Sequence, residues 1–291
     1  MERYTATSAW AIVGFYILQI FAAIAAGHYL LGLETSFWTV TGVVLLALFI
    51  GTRLRGLNNI VHECSHATFA QNRPDNIKIG SFCASAVLGC YYDYRDEHLS
   101  HHAHLGDYEQ DLDLKRIEKL RIHEPLTWRT LLRHATNPFL LRHLPYYVNP
   151  NFGARDGKIY QVMKVGIVLG ASLFTALVPL TGLFLVFTPL FLVFPTLNYW
   201  ADCLDHAGLT DNEDDLDASR NMLAPKMLRV LFFPRNDCFH LVHHLFPQVP
   251  ARHLDKGHDL LAKDEVYSSR HNAVRTPRGK DQPQEVLVGT D

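Results

Sequence analysis

Apolar residues gather into long uninterrupted runs, and charge is confined to the segments between them. Residues 4–33 contain no Asp, Glu, Lys or Arg, and after Glu34 the stretch 35–52 is again free of them. A helix crosses the roughly 30 Å hydrocarbon core of a bilayer with about 20 residues, so each run is long enough to span. The first run lacks the basic leader and cleavage site of a secretory signal, and the second follows almost at once, which predicts a membrane hairpin. Residues 165–201 are likewise without charge, with Pro179 and Gly182 near the middle. That length fits two spans joined by a tight turn. The expected spans are therefore 9–31, 35–52, 165–180 and 183–201, in two hairpins. The shorter uncharged run Ile79–Tyr92 is too short to cross and reads as a re-entrant or interfacial helix. Three charge-free runs of this length argue against a soluble helical protein whose apolar helices are simply core.

Basic residues near the spans favour the cytoplasmic side. Arg53 and Arg55 close the second span, Lys158 and Lys164 precede the third, and the expected outer loops near 32–36 and 180–183 carry no Lys or Arg. Both termini and the segments between the hairpins then face the cytosol. Residues 1–264 read as one domain, and the polar stretch 265–291, poor in large apolar residues, reads as a disordered tail.

Composition changes this picture in two places. A balance of 27 basic against 29 acidic residues leaves no electrostatic footprint for nucleic acid. The five cysteines, Cys64, Cys83, Cys90, Cys203 and Cys238, form an odd set without CxxC spacing, which argues against a disulfide framework or a zinc ribbon. The anomaly is 17 histidines, of which eight fall in three clusters.

The first cluster reads HECSH at 62–66, in a proline-free segment able to continue the second span as a helix. Histidines four apart share a helical face, and at 1.5 Å per residue His62 stands roughly 16 Å beyond Gly51. The second, HLSHH at 98–102, sets His98, His101 and His102 at i, i+3 and i+4; the third, HLVHH at 240–244, repeats that spacing with His240, His243 and His244 before Pro247 and Pro250. His206 stands six residues past Trp200, where the fourth span should emerge, and is a ninth candidate. Asp202, one turn before it, could accept a hydrogen bond from His206 or hold a bound water.

Such convergence of imidazoles without a metal would repel on protonation and gain nothing from its spacing. Isolated histidines such as His28, His134 and His143 carry no such signal and read as ordinary structural residues. Eight or nine nitrogens exceed one tetrahedral zinc site and suit two metal ions with open positions. Imidazole alone does not separate zinc, copper, iron and nickel. Soluble di-iron bundles take carboxylates from paired Glu-x-x-His elements, and no such pair occurs here. Cys64, Cys203 and Cys238 lie near the histidines in sequence but read as small packed residues rather than ligands.

With its boxes HxxxH, HxxHH and HxxHH in order, the sequence resembles the membrane fatty acid desaturase family. The likeness extends through NNIVHECSHATF, HLSHHAHLGDYEQDLDL, DCLDHAGL and HLVHHLFPQVP, over roughly residues 50–255. The resemblance implies four transmembrane helices bearing a helical cytoplasmic cap that holds two iron ions. The implied ligands are His62, His66, His98, His101, His102, His240, His243 and His244, with His206 matching the additional histidine after the fourth span. Where some relatives use a water-holding asparagine, this chain has Asp202.

The implied activity is dioxygen-dependent introduction of a double bond into a lipid acyl chain or related aliphatic substrate. The alternative is a hydroxylase or monooxygenase of a lipid or small metabolite using the same irons. No haem-binding HPGG segment and no ferredoxin-like cysteine set is present, so electrons are expected from a separate donor of ferredoxin, rubredoxin or cytochrome type. In a bacterium the expected location is the plasma membrane. A metal transporter would place ionisable groups inside its spans, which these charge-free runs disfavour, and a zinc hydrolase would not need so many nitrogens.

Overall fold

A computed structural model describes residues 1–212 and 214–270. Among them the chain is helical, with no strand apart from an isolated bridge between Tyr4 and Ala70. Helix α1 spans Ala6–Leu31 and α2 spans Phe37–Ser65. Thr5 caps the first by accepting from the Ser8 N–H at 3.3 Å, and Ser36 with Thr39 forms a reciprocal capping box on the second, satisfying backbone donors that the helix itself leaves free. The N-terminal half of α2 exposes apolar side chains such as Val44 and Leu45, whereas from Ile50 onward it is almost wholly buried. Two glycines permit close packing there: a Cβ at Gly51 would strike Val193, and one at Gly56 would strike the Tyr16 ring.

Helix α2 runs unbroken to Ser65, so the first histidine cluster does ride on an extension of the second apolar run. The uncharged run 79–92 divides instead of forming one helix. Helix α3, Arg73–Ala86, ends at a turn in which Leu88 adopts a left-handed φ of 61°, and α4, Tyr91–His104, begins after it. Asp156 holds the start of α4, accepting the backbone N–H groups of Tyr91 and Tyr92 at 2.8 and 3.1 Å. Ile79 and Cys83 of α3 pack into the core that Val13, Leu57 and Ile60 build between α1 and α2.

The later apolar helices are longer than the uncharged runs imply and turn at a different place. Helix α5 covers Leu112–Ile117, α6 covers Lys158–Leu177, and α7 covers Pro179–His206. Lys164 enters α6 fully buried because its ammonium donates to the Gly89 and Gly153 carbonyls at 3.2 and 3.3 Å. The chain turns at Val178, whose backbone (φ −135°, ψ 75°) has left the α region that a following proline disfavours; Gly182 instead lies inside α7. Two wide π-type turns, Leu183–Phe187 and Pro189–Val193, accommodate Pro189 and Pro195, which lack the N–H a regular helix needs. Four helices, Ala6–Leu31, Phe37–Ser65, Lys158–Leu177 and Pro179–His206, are long and apolar enough to cross a membrane.

Beyond α7, helix α8, His240–Leu245, carries the third cluster. The fold also extends past the expected boundary at 264: α9, Glu265–Arg270, buries Tyr267, whose hydroxyl accepts from Asn221 at 2.8 Å. The rest of the expected tail, 271–291, lies outside the described residues.

Candidate metal centre

Each histidine cluster occupies a short helix or helix end, and their imidazoles meet. His62 lies on α2 and His66 caps its C-terminus; His98, His101 and His102 face inward from α4; His206 is the last residue of α7; His240, His243 and His244 come from α8. The ligand atoms form two groups, each within 4.8 Å: His62, His66, His98, His102 and His243 in one, and His101, His206, His240 and His244 in the other. The groups adjoin, the His102 ring stacking on that of His244 with centroids 4.3 Å apart. All nine residues singled out in the sequence are thus together.

The nitrogens that approach are Nε2 in every case. In the first group the separations are 2.7 Å for His62–His243, 2.8 Å for His66–His98 and 3.0 Å for His102–His243. In the second they are 3.2 Å for His101–His206, 2.8 Å for His206–His240 and 3.0 Å for His240–His244. Two nitrogens each ~2.1 Å from a common ion lie ~3.0 Å apart when they subtend a right angle at it. The observed edges fit a coordination shell.

The outer nitrogens fix which tautomer is present. His101 Nδ1 donates to Asp111 at 2.8 Å, and His206 Nδ1 donates to the Ala218 carbonyl at 3.3 Å. With their protons on Nδ1, these two rings point bare Nε2 lone pairs at each other, an arrangement that repels unless a cation lies between them. Burial pulls His66 down to about 2 and His102 to about 3, far below the ordinary imidazole value, with neighbouring histidines acting in the same direction. His98, His240, His243 and His244 are lowered for the same reason. His101 moves the other way: burial disfavours its charge, but the hydrogen bond and charge of Asp111 outweigh burial and raise it. The donor set is therefore mostly neutral imidazole, the form that binds a metal.

Several supporting residues were not singled out by spacing. Asp111 is fully buried; one oxygen accepts the His101 Nδ1–H and the other accepts the Leu114 N–H at 2.9 Å, capping α5. Its only sequence signal is the acidic stretch after the second cluster. Asp205 sets an oxygen 3.7 Å from His240 Nδ1. Glu63, between the first two histidines, accepts from Arg235 Nε at 2.6 Å and Nη2 at 3.0 Å, and the guanidinium lies over the Tyr4 and Phe69 rings. That buried pair ties α2 to the loop before α8. Asp202 takes no hydrogen bond from His206: it accepts from the Tyr147 hydroxyl at 2.5 Å, while His206 turns its Nδ1 to Ala218. His28, His134 and His143 meet hydroxyl groups of Thr181, Tyr199 and Thr196, as ordinary structural histidines do. The five cysteines are buried, and none belongs to either nitrogen group.

Beside the imidazoles lies a cavity of about 330 Å³, whose wall includes His62, His98, His101, His206 and His240. A substrate atom could approach both groups through it.

Known sequences place the chain among relatives. A dihydrorhizobitoxine desaturase of Bradyrhizobium elkanii is 27% identical over 277 residues, covering 87% of this chain and 76% of that protein. An sn-1 oleoyl-lipid 12-desaturase of Synechocystis sp. is 25% identical over 281 residues, covering 89% and 77%. A chloroplastic omega-3 fatty acid desaturase of Glycine max is 23% identical over 266 residues, covering 82% of this chain but only 56% of the plant protein. The chain thus spans little more than half the length of that plant relative. Residues 36–272 match the sequence model of the family described as fatty acid desaturase, a stretch that contains all three histidine clusters, and the chain belongs to that family.

Proposed function

We propose that this protein is a membrane desaturase with a di-iron centre. It forms a double bond in a lipid acyl chain or related aliphatic substrate, using dioxygen as co-substrate and two electrons from a separate donor of ferredoxin, rubredoxin or cytochrome type. Two hydrogens leave adjacent carbons; dioxygen, with two electrons and two protons from solution, leaves as two waters. The observation that carries the reading is the convergence of nine Nε2 atoms into adjacent groups of five and four. His62, His66, His98, His102 and His243 would hold one iron, and His101, His206, His240 and His244 the other. Bound there, the irons supply the oxidising power that an unactivated carbon–hydrogen bond requires.

The chain's own groups do the positioning. Asp111 and the Ala218 carbonyl keep protons on the outer nitrogens and leave Nε2 free. Burial keeps the other imidazoles neutral, and the cavity gives substrate a path to them. The chain folds as one desaturase-like unit, with its four apolar helices paired as two membrane hairpins. Both termini and the histidines face the cytoplasm, in the plasma membrane if the host is bacterial. The basic residues around the spans support this orientation.

The test is expression of the wild type beside His101→Ala in a host supplied with a donor, with lipid and metabolite mass spectrometry under labelled dioxygen. The expected wild-type product is two mass units below its substrate and absent from the variant. A product that gains labelled oxygen would replace the desaturase reading with a hydroxylase, and identical profiles with iron still bound would overturn both.

A further inference from the structure

The segment 127–142 is built inside out for water. Its helix, Trp128–Thr136, turns Thr130 and His134 inward, and Asn137 follows at the same spacing. These three are buried, while Trp128, Leu131, Leu132 and Phe139 stand exposed, Trp128 and Phe139 at 80% and 79%. Residues at i, i+4 and i+7 share a helical face, so the polar face meets the protein and the apolar face meets the surroundings, the reverse of what a water-facing helix adopts. Hydrogen bonds fix the inner face: His134 Nδ1 and Asn137 Nδ2 each lie 2.8 Å from the hydroxyl of the fully buried Tyr199. A second segment, the helix Lys226–Phe232, buries none of its residues and exposes Met227, Leu228, Val230 and Phe232.

Both segments are fastened where an apolar run of the chain ends. Trp200 stands at the end of the uncharged stretch 165–201; its indole N–H donates to the His134 carbonyl at 3.3 Å, and its ring centroid lies 6.3 Å from that of Phe139. Arg53, the first charge after the stretch 35–52, donates from Nη2 to the Val230 and Leu231 carbonyls at 2.7 and 3.3 Å. The two exposed apolar surfaces therefore continue those of the long apolar helices, at the level where hydrocarbon gives way to water. Their charge is one-sided: residues 125–155 and 218–236 contain no Asp or Glu, while Arg129, Arg142 and Lys226 are exposed. Apolar side chains set among cations match the boundary between acyl chains and anionic headgroups.

We propose that segments 127–142 and 223–232 lie in the headgroup layer of the leaflet nearest the histidines, with their apolar side chains among the acyl chains and Arg129, Arg142 and Lys226 against anionic phospholipid. This rests on the membrane reading of the four apolar helices and adds a lipid contact made by the segments between and after them. Burial at that boundary reaches about 5–10 Å, enough for one layer of side chains such as Trp128, Leu131 and Met227. Tyr199, held by the inner face of the first segment, packs against Tyr147 of the cavity wall with ring centroids 5.7 Å apart, so the lipid contact braces that wall.

The test uses the full-length, iron-loaded protein in nanodiscs. The five native cysteines are buried, so a thiol-reactive fluorophore reports from one introduced site at a time. The sites are Leu131→Cys, Met227→Cys, Leu45→Cys on the exposed half of α2, and Glu109→Cys, whose side chain is 89% exposed after the second histidine cluster. Bromine-bearing phospholipid is expected to quench the labels at 131 and 227 about fivefold or more above that at 109, and aqueous iodide is expected to do the opposite. Iodide quenching at 131 and 227 equal to that at 109 overturns the proposal. Labels shielded from both quenchers overturn it in favour of a covering protein, a second copy if the particle mass doubles. Lipid quenching at 45 but not at 131 and 227 overturns the proposal and leaves the membrane reading intact; a label at 45 that lipid does not reach overturns both. Phosphatidylglycerol nanodiscs are expected to raise the melting temperature by several degrees over phosphatidylcholine ones, and Arg129→Gln, Arg142→Gln and Lys226→Gln together to abolish that difference. No difference in the wild type, or one that survives the triple variant, overturns the assignment to anionic lipid.

Discussion

Replacing Asp111 by Asn tests whether the groups behind the imidazoles govern the centre. Asp111 is fully buried, His101 Nδ1 sits 2.8 Å from one of its oxygens, and the other accepts the Leu114 N–H. Asn retains an oxygen for one of these donors but loses the charge and presents an NH2 where the second acceptor stood. Hydrogen bonds to charged groups contribute about 1.5–3 kcal/mol, and a partner behind a metal-bound histidine is typically worth 10–100-fold in metal affinity or activity, which is about 1.4–2.7 kcal/mol. The two ranges agree, so Asp111→Asn should weaken iron binding about 10–100-fold. Competition against a chelator of known affinity measures it, with circular dichroism confirming the helices. Asp111→Ala should add a loss of about 1 kcal/mol in stability by removing the cap on α5. A variant that holds iron as tightly as wild type would refute the role assigned to Asp111.

His206→Ala leaves its group with three imidazoles, so bound iron should fall from two equivalents toward one and turnover should drop by more than the ~100-fold of an outer-shell loss; elemental analysis and product assay read both. In chelator-treated protein, burial holds His66 at about 2 and His102 at about 3 while the unfolded chain protonates near 6.5. Stability should be complete above that pH and decline as pH falls through the window down to the folded values, by up to about 1.4 kcal/mol per unit for each histidine; a melting temperature level from pH 7.5 to 5 would contradict this. Arg235→Ala strands the buried Glu63 carboxylate and should cost about 3–5 kcal/mol in thermal unfolding, whereas loss of the exposed Arg155, which pairs with Asp93 and Asp96 at 2.5 Å, should leave the melting temperature nearly unchanged.

What the sequence made legible was what depends on local periodicity. Charge-free runs mark the four apolar helices, and spacings of i, i+4 and of i, i+3, i+4 mark eight of the nine clustered histidines because a helix converts spacing directly into a face. His206 was readable from its place at the end of the fourth run. Contacts made at long range were not readable. Asp202 looks like a partner for His206 one turn away, yet Tyr147, 55 positions earlier, takes it. Asp111 is one acid among several in its stretch, and only the arrival of His101 distinguishes it. The turn at Val178 and the burial of Lys164 were hidden for the same reason: a charge ends an apolar run on paper but not where two carbonyls receive it.

The two nitrogen groups interlock, since α4 and α8 each contribute to both. During synthesis, then, neither nitrogen group can be completed when the first pair of apolar helices has been made, nor when the second pair has. Both wait for His240, His243 and His244, which follow every apolar run in the chain. Any metal loading is thereby deferred until residue 244 has been made, and a product truncated before residue 240 would lack part of both nitrogen groups.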